Sequence, residues 1–199
     1  MARVGTKEAF MYDLRSGVRA VWMGEWSVAD FQGHMLLAID NAYRGAWIAE
    51  AREYGITSES ELTDAELDKL NNMIFDAYGH VADFGVWVEE HSRANGGRLT
   101  DAFARLPLWA DRYDQVVIQG RVMAARDGKL VWVLGHTEQH CSSCLKLTGQ
   151  VRRASFWNDR GILPRVPGAP YLECGGWRCD CDLIPTDAPI SRGRLPSLP

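Results

Sequence analysis

The stretch ECGGWRCDCDL, Glu173 to Leu183, holds three cysteines within eight residues, and HCSSC, His140 to Cys144, holds two more beside a histidine. All five cysteines of the 199-residue chain therefore fall in its last third. Such a cluster reads as a disulfide framework, a redox site, a structural metal site or a catalytic metal site, and the surrounding sequence decides among them.

Composition limits the choice. With 46% apolar residues and eight tryptophans, the chain can bury a core without disulfides. The amino terminus, MARVGTKEAFMYDLRSG, carries charges and no apolar run, so no secretory signal is expected. Apolar runs such as MLLAI and LVWVLG are far too short to span a bilayer, and no membrane partner is expected. The expected setting is a reducing cytoplasm, where clustered cysteines bind metal or do redox chemistry, and five is an odd number for a bridge framework. Net charge is −4 but uneven. From Leu145 onward eight Lys or Arg face five Asp or Glu, so the acid excess lies in the first 144 residues, which are a poor nucleic-acid binder on charge grounds.

Upstream of the cysteines the hydrophobic period is helical. Phe10, Leu14, Val18, Ala20 and Val21 form one stripe, and Phe31, Met35, Ile39, Ala42, Tyr43 and Ala46 form a second behind a capping-box start at Ser27 and Asp30. A fuller capping box, Thr63 to Glu66, opens a third helix expected to run through Leu67, Leu70, Ile74 and Val81 to a stop at Asn95–Gly97. Thr100 is expected to cap a fourth, with a kink or restart at Pro107 before Tyr113, Val117 and Val122. Asp127-Gly128 signals a turn, and KLVWVLG after it alternates as a strand, with Leu130, Trp132 and Leu134 on one face and Val131 and Val133 on the other. The fold class read from these patterns is mainly α: a long-helix bundle (1–128), a small zinc-stapled, loop-rich β module (129–184) and an extended or disordered proline-rich arm (185–199).

Cys141 and Cys144 have the C-x-x-C spacing with which a tight turn chelates one tetrahedral ion, and Cys174, Cys179 and Cys181 can supply the remaining ligands. Gly175 and Gly176 suit a turn whose amides point at a thiolate. The intervening segment, LKLTGQVRRASFWNDRGILPRVPGAPYL, offers little that could form an independent core, so one structural Zn2+ is expected to staple it. Five thiols and His140 exceed the four ligands zinc takes, and spacing does not say which is spare. The HTE run, His136 to Glu138, stands too close to Cys141 for the two-helix layout of zinc deaminases. Thioredoxin-like use of Cys141 and Cys144 wants a βαβ context that the helical run before them does not provide. NGGR lacks phosphate-loop spacing, and no catalytic set can be assigned. His34, His80 and His91 sit within helical patterns as surface or core residues.

The run HCSSCLKLTGQVRRASFW followed by GILPRVPGAPYLECGGWRCDCDLIPTD resembles the carboxy-terminal module of tailed-phage minor head proteins, the phage head morphogenesis (Mu F-like) family. The resemblance rests on His140, Cys141, Cys144, Leu145, Leu147, Gly149, Val151, Ala154, Ser155 and Trp157, then Leu163 and Pro164, then Cys174, Gly175, Gly176, Cys179, Cys181 and Leu183. It implies a non-enzymatic virion protein assembled in the host cytoplasm, acting in head assembly or in DNA packaging and delivery. Its implied partners are the portal or major capsid protein and packaged DNA. Two other readings stand beside it. One is a zinc-ribbon-like nucleic-acid adaptor using Arg152, Arg153, Arg160, Arg165 and Arg178. The other is a metal-dependent hydrolase with Glu138 or Glu173 as its base.

Overall fold

The structure is a computed structural model and describes residues 5–136, 139–177 and 179–198. It is mainly helical with one small antiparallel sheet, and the chain forms two compact units, Met1–Ala46 with Thr63–Tyr113, and Trp47–Leu62 with Asp114–Pro199. Among the described residues no helix is long and apolar enough to cross a membrane.

The first unit is built from helices whose ends are written into the sequence. Helix α1 (Lys7–Met23) starts where the Thr6 hydroxyl accepts from the Ala9 amide and stops at Gly24, which takes a left-handed φ of 77°. Helix α2 (Val28–Ala51) opens on the Ser27–Asp30 pair, in which each residue's amide donates to the other's side chain. Helix α3 (Asp64–Tyr78) carries the complete Thr63–Glu66 capping box. The expected single helix beyond it is two. Chain tightening at Gly79 and His80 ends α3, with the His80 amide donating to Ala77 three residues back, and α4 (Val81–Glu90) begins afresh. Glycine's low helix propensity and the hydrogen bond from Tyr78 Oη to the Leu36 carbonyl account for the break. Thr100 is not a cap either. It lies inside the short α5 (Leu99–Phe103), whose N-cap is Arg98. Pro107 is the first residue of α6 (Pro107–Ala124), a position where its missing N–H costs nothing. Phe10 packs edge-on to Tyr43 and stacks with Tyr113, while Phe84 meets Phe31 and Trp109, so the apolar stripes of the sequence converge on an aromatic core.

The second unit centres on strand β1 (Lys129–Val133), flanked by β2 (Val151–Arg153) and β3 (Asp182–Pro185), both antiparallel to it. Leu130 and Trp132 are fully buried, as the alternation predicts. Trp132 stands opposite Leu183 and lies 5.8 Å from the Trp157 ring of α8 (Ala154–Asp159), whose indole N–H donates to the Leu130 carbonyl at 3.3 Å. A strand buried on one face needs a cover. Ile118 and Val122 of α6 with Ala125 supply part of it, which is why the compact unit reaches upstream of the pattern change at Lys129.

The segment between the two cysteine groups is richer in core than expected. Leu147 of α7 (Ser142–Leu147), Val151, Ala154, Trp157, Ile162, Leu163, Ala169 and Leu172 are all buried in one cluster. The proline-rich stretch is extended, as expected, and lies along its own module. Lys129 Nζ donates to the Asp187 and Ala188 carbonyls, the Ser191 amide donates to Val151, Lys146 Nζ donates to Ser197, and Leu195 and Leu198 pack against the core.

Arg121 of α6 ties this unit together. Its side chain is 13% exposed and donates to Glu50 at 2.6 Å, to Asp182 of β3 at 2.5 Å and to the Leu183 carbonyl at 3.1 Å. Burial opposes the charge, but the two carboxylates hold the guanidinium firmly protonated. Replacing it with methionine strands Glu50 and leaves Asp182 to the Arg165 guanidinium 3.8 Å away. Arg121→Met should cost about 3 kcal/mol, read as a lower urea midpoint and lost hydrogen-exchange protection at the β1 and β3 amides. A change under about 0.5 kcal/mol would mean that solvent screens the network.

Candidate metal centre

Three local structures bring the cysteines together. Cys141 is the N-cap of α7, and its sulfur accepts from the Cys144 amide at 3.4 Å, the C-x-x-C turn in which a thiolate replaces the usual hydroxyl cap. Cys174 sits in the turn before Gly175 and Gly176, and Cys179 and Cys181 lead into β3. Gly175 and Gly176 both have left-handed φ, 58° and 74°. Gly176 also lies so close to the Val166 carbonyl that a Cβ would collide with it. Glycine is therefore required there on two counts.

The two halves of the site are bolted together by groups whose anchoring role the sequence does not reveal. The Ser142 amide donates to Glu173 at 2.8 Å and the Glu173 amide donates to Ser143 Oγ at 3.0 Å, Ser143 being wholly buried. Hydrogen bonds from Ser142 hold the Glu173 carboxyl below the usual carboxylate range. Glu173 thus anchors a loop. Asp180 accepts from the His136 amide, fixing the Gly135 turn beside the C-x-C pair. These contacts lie far apart in sequence and follow no spacing rule.

All five cysteines are free thiols. The ligand atoms of Cys141, Cys144 and Cys174 lie within 4.8 Å of one another, as do those of Cys144, Cys179 and Cys181, and of His140, Asp180 and Cys181. Cys144 is thus shared by two groups, with its sulfur 4.0 Å from that of Cys179. Four sulfurs about 2.3 Å from a tetrahedral ion stand about 3.8 Å apart, so this spacing is close to that of an occupied site. The cysteine groups are near enough to hold a metal ion. His140, considered from the sequence as a further ligand, has Nδ1 3.9 Å from Cys181 Sγ. Glu138 and Arg178 lie outside the described residues.

The electrostatics fit a cation. Burial opposes ionisation of Cys141, yet donation from the Cys144 and Cys174 amides holds its thiol below the ordinary cysteine value. Burial pushes Cys174 up to about 11, against the Gly176 amide that donates to its sulfur. Hydrogen bonds to Cys179 and Cys181, and then burial, raise Cys144 strongly, while Cys181 is lowered by bonds from Cys144 and Cys179 and by the Gly135 amide. Within this cluster Cys144 is held toward its protonated form while Cys141 and Cys181 are held toward the thiolate. A bound divalent cation removes that conflict, because it lets all its ligands be thiolates at once.

Comparison with family models, with curated proteins and with solved structures returns no match to this chain. The chemistry of the site is therefore argued from its own residues. A helix does begin at Cys141, as thioredoxin-like chemistry asks, but the strands around it are antiparallel and no βαβ unit surrounds it among the described residues.

The Gly176 turn is a specific test of this geometry. Gly176→Ala should destabilise the second unit by about 2 kcal/mol and make Cys174 react faster with a thiol reagent such as dithionitrobenzoate. Unchanged stability and thiol reactivity would mean the turn is not what holds Cys174 in place.

Proposed function

We propose that the chain is a structural component of a tailed-phage head, a minor head protein of the Mu F-like kind, whose carboxy-terminal module is fixed by one structural zinc ion. The observation that carries this reading is where the family-like residues fall. Cys141, Cys144, Cys174, Cys179 and Cys181 form the thiol cluster, while Leu147, Val151, Ala154, Trp157, Leu163 and Leu183 form the core beneath it. The resemblance thus follows a physical unit and is not a scatter of matched letters.

Zinc is the ion that best suits a soft, sulfur-rich donor set with tetrahedral spacing, and closed thiolate coordination serves structure. Cys141, Cys144, Cys174 and Cys179 are the four ligands assigned to it. Cys141, Cys144 and Cys174 lie within 4.8 Å of one another, and Cys179 is 4.0 Å from Cys144. Cys181, within 4.8 Å of Cys144 and Cys179, also meets the Gly135 amide and His140 Nδ1, and is assigned as the fifth sulfur beside the ion. The ion would lock the Gly175–Gly176 turn to α7 and β3. The role is non-enzymatic: the acidic helices offer a docking surface to portal or major capsid protein, and the stapled module offers a rigid face during head assembly or DNA packaging.

Two measurements test the two halves of this reading. Protein purified without added zinc should carry about one equivalent of zinc, retained in Cys181→Ser and falling below about half in Cys141→Ser, Cys144→Ser, Cys174→Ser and Cys179→Ser. Less than about half an equivalent in the unaltered protein, with five freely titrating thiols, removes the metal. Mass spectrometry of gradient-purified, DNA-filled particles should find the chain at a fixed ratio to the major shell protein. Its absence from filled particles and from proheads overturns the virion role.

A further inference from the structure

The geometry points to an anion site on the second unit, distinct from the thiol cluster, that takes the phosphate groups of a nucleic-acid strand. A cavity of about 450 Å³ is lined by Arg152, Phe156, Arg160, Gly193, Arg194 and Leu195. Three guanidinium groups from three different parts of the unit share it: Arg152 from the middle of β2, Arg160 just after α8, and Arg194 from the extended carboxy-terminal stretch.

Arg152 carries the argument. It is only 6% exposed. Its guanidinium donates to the Val151 carbonyl at 3.2 Å, to the Ser191 carbonyl, and to the Gly193 carbonyl at 3.2 Å. Carbonyl oxygens satisfy donors but bring no negative charge. Among the described residues no carboxylate stands within ion-pair distance of Arg152, Arg160 or Arg194. A buried cation without a counter-charge is costly, and an anion entering the cavity offsets that cost.

The ring of Phe156 sets the presentation. The Arg160 guanidinium lies 4.5 Å from its centroid and that of Arg152 5.7 Å. A planar guanidinium held against an aromatic ring, as that of Arg160 is, keeps its N–H edges free for bidentate contact with phosphate oxygens, which a lysine cannot reproduce, while Arg152, with donors already on carbonyls, adds its charge. Three fixed positive charges exceed what a single monoanion neutralises, and successive phosphodiesters of one strand match them better. The cavity also sorts the arginines weighed from the sequence. Arg153 and Arg165 do not line it, and Arg165 stands 3.8 Å from the Asp182 carboxylate, so Arg152 and Arg160 remain and Arg194 joins them.

The test uses the full chain and a fluorescent oligothymidylate of about 12 nucleotides, with anisotropy followed between about 50 and 200 mM salt. Arg160 and Arg194 are exposed, and the Phe156 ring that Arg160 covers stays packed on Trp157, so the double variant Arg160→Gln/Arg194→Gln should fold. It should bind about tenfold more weakly and lower the salt slope by about 1.4, the loss of two phosphate contacts on a single strand. The charge-matched control Arg15→Gln/Arg19→Gln, on exposed α1 positions of the first unit, should bind as the unaltered protein does. Three results overturn the assignment: no oligonucleotide binding at low salt, equal weakening in both double variants, or binding of inorganic pyrophosphate without the oligonucleotide, which would mark a small-anion site instead.

Discussion

Sulfur atoms that are about to carry negative charge do not gather without a reason, and this chain gathers five. Cys144, 2% exposed, has Cys141 and Cys174 on one side and Cys179 and Cys181 on the other, and the chain supplies amides from Cys144, Cys174, Gly176 and Gly135 to the sulfurs. Backbone amides are a fixed, weak source of positive potential and would not neutralise several thiolates at once. The turn at Gly175–Gly176, the capping of α7 by Cys141 and the cross-loop bonds of Glu173 all keep these sulfurs at ligand spacing. They are the local consequences of one electrostatic requirement.

That requirement does not hold the module alone. The Trp132–Trp157 pair and the side chains around it form a core that spans β1, α7, α8 and the approach to Cys174. The Arg121 bridge to Glu50 and Asp182 then fastens β3 to α6. The sulfur cluster therefore organises the loops at one end of a sheet that has its own apolar foundation.

The helices of the first unit were readable because their signals are local. A stripe at three- and four-residue spacing and a Ser or Thr with an acid three residues on act within one turn, and the caps at Ser27 and Thr63 formed as written. The misreadings were of another kind. Gly79–His80 breaks a continuous stripe, because backbone propensity there outweighed a periodicity that did not change. The segment from Leu145 to Leu172 reads as loop-rich because its buried residues obey neither period. They come from single turns and a three-residue strand, and only tertiary folding shows that they point the same way. The cysteines were legible as a group from spacing alone, whereas the roles of Ser143, Glu173 and Asp180 depend on contacts 30 or more residues apart.

The extended stretch after β3 has a further consequence at the sheet's margin. Strand β2 lies at the outside of the order β2-β1-β3, and a strand there normally leaves alternate amides and carbonyls open to any passing extended chain. Here the Val151 amide donates to Ser191 Oγ and the Val151 carbonyl accepts from the Ser191 amide. The chain thus blocks its own edge with a segment that cannot continue the sheet, since Pro189 and Pro196 flank the contact. A chain shortened after Pro185 would keep its sheet and its sulfur cluster but present β2 as an open template, and its failure would be self-association rather than unfolding.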